Sequence, residues 1–391
     1  MIQLKKIIIV GAGASGVYLS ILLKQYIKDC DVVVLEQNTT SLKKLLATGN
    51  GRCNLSNQDM SIDYYFSDCL EIVEPIIHAF DMVKHMQQLG LYTLYQGHLL
   101  YPKSEQALSV KHVLMQAAEQ LGVVFLYEQE VINVQYQHSY IIKTNQHIFH
   151  ADDVVFAMGS EAGNLSGIQK SRYDIFKNLK LQIVPTRPSL VQMNTKPVLK
   201  MLKGVRVKGT FSLLEDGQCI RKEKGELLFT DYGVSGIAIM QLSAFCLPNH
   251  HYTLSIDFFD EMDNPKLSEY IAQRLKRDYN HFYDGLVNSK LSAYLESRTS
   301  YSVPQIVQLL KDFQLEVVGL RNYETAQVMK GGLSLQEVDE SLQIKRYPHM
   351  YAIGEILNVD GLCGGYNLHF AFASAYHVAR AIEREIHVKN Q

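Results

Sequence analysis

A glycine-rich turn near the amino terminus constrains the fold of this chain more than any other sequence feature. Residues 11–16 read Gly-Ala-Gly-Ala-Ser-Gly, which is the GxGxxG pattern of a dinucleotide-binding turn. The turn follows the β-branched run Ile7–Val10 and precedes a helical pattern over residues 15–28. A second strand pattern, Asp31–Glu36, completes strand, turn, helix and strand within about 30 residues. The segment therefore predicts a right-handed βαβ unit at the start of a parallel sheet.

The chemistry of this turn predicts a bound dinucleotide. Gly11 allows the tight turn, Gly13 lets backbone amides approach a pyrophosphate, and Gly16 permits close contact between the helix and the strand. The first helical amides, those of Ala14 and Ser15, then face the phosphates at the positive end of the helix.

Two further segments indicate which dinucleotide binds, and the second of them favours FAD over NAD. Glu36 stands 20 residues past the turn, where its carboxylate can accept hydrogen bonds from an adenosine ribose and would repel a 2′-phosphate. Near the carboxyl terminus, Gly354-Glu355 is followed by a second glycine loop at Gly361–Asn367 and by a helical pattern. Such a segment can serve the far end of a long cofactor. Glu355 would meet the ribityl chain, and the helix amides after Gly365 would stabilise negative charge on a flavin ring.

Length and composition limit the classes of protein that remain. A chain of 391 residues predicts two or three domains, and 47% hydrophobic with 20% charged residues is typical of a globular protein. The net charge of -2 excludes a general basic field that would hold nucleic acid or an anionic membrane. The uncharged run between Lys6 and Lys24 is shorter than the ~20 apolar residues of a membrane span. We therefore expect a cytoplasmic monomer or homodimer with a small-molecule substrate, no nucleic-acid or membrane partner and no metal.

The spacing of hydrophobic residues changes along the chain. Short alternating strands follow residue 186 and predict an all-β or barrel-like insertion, whereas residues 264–315 have helical spacing. The expected domains are a discontinuous FAD-binding domain of residues 1–185 and 325–391, a β-rich insert of residues 186–262 with 315–324, and a helical insert of residues 263–314.

Three long motifs resemble those of one family. They are Lys43–Asn54 (KKLLATGNGRCN), Gly225–Gly236 (GELLFTDYGVSG) and Ala352–Leu368 (AIGEILNVDGLCGGYNL). Together they resemble the flavoproteins that include BaiN-like reductases and aminoacetone oxidases, which are described as NAD(P)/FAD-dependent oxidoreductases. The resemblance implies an α/β fold: a Rossmann FAD-binding domain of the glutathione-reductase type, carrying a β-rich, barrel-like insert and a small helical insert.

The same resemblance implies a set of cofactor contacts. It places the loop ending at Asn54 and the segment before the last helix at the flavin, and it places Val131 at the adenine. With the residues of the turn and Glu36, the expected cofactor contacts are Lys44, Gly51, Arg52, Cys53, Asn54, Val131, Ala157, Gly159, Gly354, Glu355, Gly365, Tyr366, Asn367 and Leu368.

The catalytic residues are less defined by the sequence, because a flavin carries the hydride chemistry itself. Arg52 is a candidate for stabilising anionic charge, and Tyr366 and His369 are candidates for facing the flavin or the substrate. A histidine such as His369 can move a proton near neutral pH. Cys53 is interpreted as a packed thiol more readily than as a redox thiol, because no second cysteine follows at CxxC spacing.

The predicted function is that of an FAD-dependent oxidoreductase that acts on a small molecule by hydride transfer through flavin N5. A single GxGxxG turn argues against a dedicated nicotinamide domain. The alternatives are therefore an oxidase that returns electrons to O₂ and a reductase that docks NAD(P)H transiently. A non-catalytic flavin-binding redox sensor or interaction protein is the competing hypothesis.

Overall fold

The computed structural model describes residues 4–163, 171–277, 279–298 and 302–389. The strands are β1 (Lys5–Val10), β2 (Cys30–Leu35), β3 (Ser56–Asn57), β4 (Tyr65–Ser67), β5 (Thr93–Gln96), β6 (Leu99–Pro102), β7 (Val124–Leu126), β8 (Val131–Tyr136), β9 (Tyr140–Thr144), β10 (Ile148–Ala151), β11 (Asp153–Phe156), β12 (Ile183–Ser189), β13 (Met193–Lys196), β14 (Arg206–Glu215), β15 (Gln218–Phe229), β16 (Gly233–Ser235), β17 (Tyr252–Asp257), β18 (Phe313–Leu320), β19 (Val328–Leu333), β20 (Met350–Ala352) and β21 (Val359–Gly361). The α-helices are α1 (Ala14–Tyr26), α2 (Leu70–His78), α3 (Met82–Gln88), α4 (Ala107–Gln120), α5 (Asp174–Asn178), α6 (Ile237–Ser243), α7 (Asn264–Arg274), α8 (Ser289–Glu296), α9 (Val303–Lys311) and α10 (Tyr366–Lys389).

The first compact unit, residues 1–187 and 328–391, is built on a parallel sheet. The sheet has the strand order β20-β11-β1-β2-β7, and each neighbouring pair in it is parallel. Ile7, Ile8 and Ile9 of β1 are fully buried, which explains why this strand is a continuous β-branched run rather than an alternating one. Helices α1 and α10 pack against each other beside this sheet. The predicted α/β Rossmann architecture is confirmed.

The second compact unit, residues 188–327, contains a closed barrel with the strand order β13-β16-β15-β14-β17-β18. The predicted barrel-like insert is confirmed. Apolar residues of α7, α8 and α9, such as Leu267, Leu291 and Ile306, belong to the same core cluster as barrel residues such as Phe211 and Leu254. Residues 263–314 and the barrel belong to one compact unit. That residues 263–314 form a separate helical domain therefore stays a prediction.

Candidate functional site

The carboxyl ends of the parallel strands bring the predicted cofactor residues to one edge of the sheet, here called the cofactor edge. It is formed by the residues that follow four strands: Gly11 after β1, Glu36 after β2, Ala157–Gly159 after β11, and Gly354–Glu355 shortly after β20. Ligands of open parallel sheets bind outside the carboxyl ends of the strands. The separated sequence motifs thus meet at the position where a dinucleotide binds in this architecture.

The glycines of the turn are needed for two different reasons. A Cβ on Gly11 would lie 2.5 Å from the Ala157 carbonyl oxygen, and its φ of +109° disfavours other residues. A Cβ on Gly16 would lie 2.0 Å from the Gly11 carbonyl oxygen, so α1 and β1 can approach only with glycine there. Gly13 differs, because its Cβ would meet nothing closer than 3.9 Å. The protein itself leaves space at Gly13, which is the space that a pyrophosphate needs.

Glu36 is fixed by its own hydrogen bonds at the end of β2. Its Oε2 accepts from the Ala12 amide at 2.8 Å, and its Oε1 accepts from the amide and the side chain of Asn38 at 2.8 and 2.6 Å. The backbone of Gln129 donates to the Glu36 carbonyl at 2.9 Å, which brings the start of β8, and hence Val131, close to this carboxylate. The ribose and adenine contacts predicted from the sequence are therefore adjacent in the structure.

Lys44 and Glu355 meet at the middle of the cofactor edge although 311 residues separate them. Lys44 Nζ lies 2.6 Å from Glu355 Oε2 and donates to Ser160 Oγ at 3.3 Å. Gly354 has a φ of +70°, and a Cβ there would lie 2.8 Å from Ser15 Oγ at the start of α1. This arrangement holds a lysine and a carboxylate beside the amino end of α1.

Arg172 is a site residue that the sequence did not indicate. Its guanidinium donates to the Met158 carbonyl, and it interacts electrostatically with both Glu36 and Glu355. Within the part of the chain that the structure describes, Arg172 Nε and Glu355 Oε1 are buried and lack a hydrogen-bond partner. Orphaned buried polar atoms of opposite charge are what a polar ligand would satisfy. The residues of the cofactor edge therefore fit a charged dinucleotide.

A second cluster joins the loop before β3 to the amino end of α10. With its amide in the orientation that satisfies both groups, Asn54 accepts from the Gly365 amide at 3.2 Å and donates to the Ser56 carbonyl at 2.9 Å. Gly365 has a φ of +94°, and a Cβ there would lie 2.6 Å from the Ser56 carbonyl oxygen. The predicted motifs around residues 49–54 and 361–368 are thus locked together, as a shared binding role requires.

The side chains at the start of α10 shape this end of the site. Asn367 accepts from the Gly361 amide at 2.8 Å and donates to the Gly361 carbonyl at 2.7 Å, so its side chain fixes the end of β21. The Tyr366 ring is buried and packs 4.9 Å from the ring of Tyr64. Leu368 lies in the first helical turn, half-buried. The backbone amides in the first turn of α10 have no partner within the helix, so they are the groups available to a ligand here.

Arg52 and Cys53 occupy different environments although they are neighbours. Arg52 Nε lies 2.9 Å from Glu105 Oε2, and its guanidinium also pairs with Gln96 and stacks over Tyr101 at 4.2 Å from the ring centroid. The structure thus places the Arg52 charge in a half-exposed network. Cys53 is fully buried, and burial raises its thiol pKa to about 12, so it is an unionised packed thiol. Gly51, before them, adopts a φ of +83°.

His369 is a structural neighbour of the site in this geometry. Its Nε2 donates to the Ile77 carbonyl at 2.9 Å, which leaves Nδ1 to accept from Ser56 Oγ at 2.8 Å. The ring is 4% exposed, and burial lowers its pKa to about 4. His369 is therefore neutral at pH 7 and joins α2 to the Ser56 segment. Its predicted role in proton transfer stays a prediction.

Residues 4–163, 171–277, 279–298 and 302–389 lack two further kinds of feature. No helix there has the length and apolar character needed to cross a membrane. No group of three or more His, Cys, Asp or Glu side chains there could hold a metal ion.

Comparison with known proteins agrees with this geometry. The family model described as the HI0933-like protein Rossmann domain matches residues 5–381. The chain is 29% identical to the 3-dehydro-bile acid delta(4,6)-reductase of Clostridium scindens, with 97% of this chain and 99% of that protein covered. It is 26% identical to the ribosomal RNA dihydrouridine synthase of Escherichia coli, with 95% and 96% covered. The predicted family resemblance is confirmed.

Among solved structures, a flavocytochrome c3 fumarate reductase in its open conformation is similar in fold. The TM-score is 0.52 at 12% sequence identity, and the match covers 98% of this chain and 78% of that one. At this identity the likeness shows the fold alone.

Proposed function

The chain belongs to the HI0933-like family of flavoprotein-type oxidoreductases, and on this premise we propose that it is an FAD-dependent reductase of carbon–carbon double bonds conjugated with a carbonyl group. The observation that carries the FAD assignment is the convergence of the glycine turn, Glu36 and the Lys44–Glu355 pair at the cofactor edge. When bound, FAD supplies hydride chemistry at N5. The residues of the cofactor edge would bind FAD, orient it and balance its charge.

Each part of the cofactor edge would hold one part of FAD. The free space at Gly13 and the amides of α1 suit the pyrophosphate, and Glu36 with the start of β8 suits the adenosine. Lys44 and Glu355 would meet the ribityl region. The first-turn amides of α10 would stabilise negative charge on the flavin ring, as helix amino ends do for anions generally.

The direction of the reaction is proposed from the relatives. The Clostridium scindens protein is named as a reductase of 4,6 double bonds in a 3-dehydro bile acid, and the Escherichia coli and Haemophilus influenzae proteins as synthases of dihydrouridine. Both names describe the saturation of a double bond conjugated with a carbonyl. We propose that NAD(P)H docks transiently to supply the electrons, in place of the oxidase reaction with O₂.

An anaerobic spectroscopic experiment tests this proposal. Purified protein loaded with FAD should show flavin absorption near ~450 nm that bleaches with NADPH or NADH. Addition of a 3-oxo-Δ4 steroid should then restore the absorption and yield a product heavier by two hydrogens. Glu36→Ala serves as the negative control. It removes the carboxylate that accepts from the Ala12 amide in the turn, so this variant should bind FAD poorly.

The other outcomes of this experiment separate the alternatives. Hydrogen peroxide formation with a reduced organic substrate, and no bleaching by nicotinamides, would favour the oxidase. A bound flavin that neither nicotinamide reduces and no substrate reoxidises would favour the redox sensor. A protein that binds no FAD would refute the proposal at its base.

RNA uridine is a second candidate substrate, because one long segment of the chain is strongly basic. Residues 175–214 contain eight Lys or Arg and no Asp or Glu: Lys177, Lys180, Arg187, Lys196, Lys200, Lys203, Arg206 and Lys208. In the second unit, Lys196, Lys200 and Lys208 are exposed. Exposed cations concentrated in one segment can bind a phosphate backbone although the net charge of the whole chain is near zero. The positive charge of this segment favours RNA as a substrate, although the net charge of the whole chain does not.

Charge reversal distinguishes the two substrates. The double variant Lys200→Glu/Lys208→Glu should bind RNA more weakly and with a smaller salt dependence, while leaving steroid-enone reduction unchanged. Lys290→Glu, in the second unit at the start of α8, provides a matched exposed control. Mass spectrometry of transcribed ribosomal RNA after incubation with FAD and NADPH would detect dihydrouridine. RNA that stays unmodified under conditions in which the enone is reduced would exclude this candidate.

A further inference from the structure

A buried ion pair lies outside the cofactor contacts described above. Lys330 of β19 places its Nζ 3.2 Å from Asp360 Oδ2 and 3.4 Å from Oδ1. The two side chains are 10% and 2% exposed. The ammonium group also lies 3.1 Å from the centroid of the Phe66 ring. Burying two opposite charges costs more desolvation than an apolar pair of similar size would, so stability alone does not explain this pair.

The pair is continuous with the amino end of α10. Asp360 lies in β21 and pairs in register with Phe66 of β4. The next residue, Gly361, has its amide and carbonyl held by the Asn367 side chain, and a Cβ there would lie 2.7 Å from Tyr366 Cβ. Lys330 therefore lies on the strand framework that positions the helix end proposed to face the flavin ring.

Burial and the charged neighbours of Lys330 determine its pKa. Burial lowers the pKa of Lys330 to about 8, Asp360 opposes this shift by attraction, and the positive charge of Arg187 on β12 adds to it. Phe66, on β4, contributes an uncharged ring face. At pH 7 the amine is protonated, and it gives up its proton far more easily than an exposed lysine does. A general acid works best with a pKa near the operating pH.

We propose that Lys330 is the acid that protonates the substrate during double-bond reduction, and that Asp360 is the residue that positions its ammonium group. The inference rests on the proposed function. Bound FAD, reduced by a nicotinamide, would supply the hydride. Once that hydride is bonded to the substrate carbon β to the carbonyl, the π electrons of the substrate would lie in an enolate. The Lys330 N–H bond then breaks, its proton bonds to the α carbon, and its electron pair stays on nitrogen until water reprotonates the amine.

The test separates the two half-reactions. Lys330→Met should bind FAD and be bleached by NADPH as the unaltered protein is, whereas reoxidation by the enone should slow by about 10²–10⁴-fold. Reoxidation of the unaltered protein should slow as the pH rises above the Lys330 pKa of about 8, and Lys330→Met should lack this pH dependence. If Lys330→Met does not fold because Asp360 has lost the Lys330 charge, Lys330→Met/Asp360→Leu removes both buried charges and should give the same kinetic result. Lys311→Met, which breaks the Lys311–Asp257 pair of the second unit, is the matched control.

A binding measurement adds a readout that does not depend on turnover. A substituted phenol mimics the enolate, and its phenolate should bind the unaltered protein more tightly than Lys330→Met by at least about tenfold, a difference of ~1.4 kcal/mol. Asp360→Asn should shift the pH dependence of this binding. Equal reoxidation rates and equal phenolate affinities in the unaltered protein and Lys330→Met would overturn the inference alone. If the unaltered protein reduced neither the steroid enone nor the uridine of ribosomal RNA, the proposed function and this inference would both be overturned.

Discussion

Exchange of single glycines in the turn separates the role of the fold from the role of the ligand. In Gly13→Ala, the new Cβ would meet nothing within the protein closer than 3.9 Å, and the φ of -78° suits alanine. Loss of glycine at the helix N-cap costs about 0.5–1 kcal/mol, and the reduced entropy of the unfolded chain returns a similar amount. The free energy of unfolding of the FAD-free protein should therefore change by less than about 1 kcal/mol.

The affinity for FAD should respond differently. A methyl group at residue 13 would occupy the space through which the turn approaches the pyrophosphate, so we expect at least about tenfold weaker FAD binding, or ~1.4 kcal/mol. In Gly16→Ala, the Cβ would lie 2.0 Å from the Gly11 carbonyl oxygen and 3.2 Å from Ala157 Cβ. Such overpacking costs about 1–3 kcal/mol in folding, so this variant should lose stability as well as FAD.

Urea unfolding of the FAD-free variants and titration with FAD, followed by flavin fluorescence, measure the two quantities independently. If Gly13→Ala binds FAD with the affinity of the unaltered protein, the pyrophosphate does not pass over this turn. If Gly16→Ala unfolds at the same urea concentration as the unaltered protein, the close packing of α1 on β1 does not require glycine.

Three further changes should give measurable results. Lys44→Met should weaken FAD binding several-fold in titrations while changing the free energy of unfolding by no more than about 1 kcal/mol, because the Lys44–Glu355 pair is partly exposed; unchanged binding would remove Lys44 from the site. In the folded protein, iodoacetamide should alkylate the exposed Cys219 and spare Cys53, whose thiol pKa burial raises to about 12; peptide mapping by mass spectrometry would reveal the contrary. Burial lowers the pKa of His369 from 6.5 to about 4, so between these values the unfolded chain binds more protons and stability falls as the pH falls. Urea unfolding should show that His369→Gln removes about 2 kcal/mol of the loss between pH 7 and pH 5, whereas His112→Gln, at an exposed helix position, retains it; an unaltered pH dependence in His369→Gln would contradict the assigned burial.

The sequence predicted the cofactor edge well because its elements are local patterns. A β-branched run predicts a buried parallel strand, and three glycines at fixed spacing predict the turn, so Gly11, Gly16 and Glu36 follow from neighbours within about 30 residues. The structure brings each of them to the sheet edge where the pattern requires it. A helix boundary, in contrast, depends on one side chain: Asp81 accepts from the Lys84 amide at 3.0 Å and begins α3 separately from α2.

Residues whose role comes from tertiary burial could not be predicted. Lys330 and Asp360 are 30 residues apart in the sequence. Lys330 belongs to none of the three motifs, and nothing in the Ala352–Leu368 motif distinguishes Asp360 from its neighbours as a charge to be buried. Their importance appears only when β19 and β21 bury both charges. Arg172 is similar, since only the fold brings it within electrostatic range of Glu36 and Glu355. Arg52 is the converse case, because its motif predicts a cofactor contact whereas its side chain pairs with the half-exposed carboxylate of Glu105.

The two proposed substrates share one reacting group, and this decides which residues can distinguish them. A steroid enone and the uracil ring both present a double bond conjugated with a carbonyl, so both need a hydride at one carbon and a proton at the next. An acid such as Lys330 would serve either reaction, and its removal would slow both by a similar factor. Discrimination must therefore come from groups that contact the rest of the substrate, and the exposed Lys200 and Lys208 are suited to a phosphate backbone and to nothing in a neutral steroid. A variant that loses RNA modification but keeps enone reduction would place substrate choice in that basic segment and the chemistry at Lys330. Parallel loss of both activities in Lys200→Glu/Lys208→Glu would refute this separation.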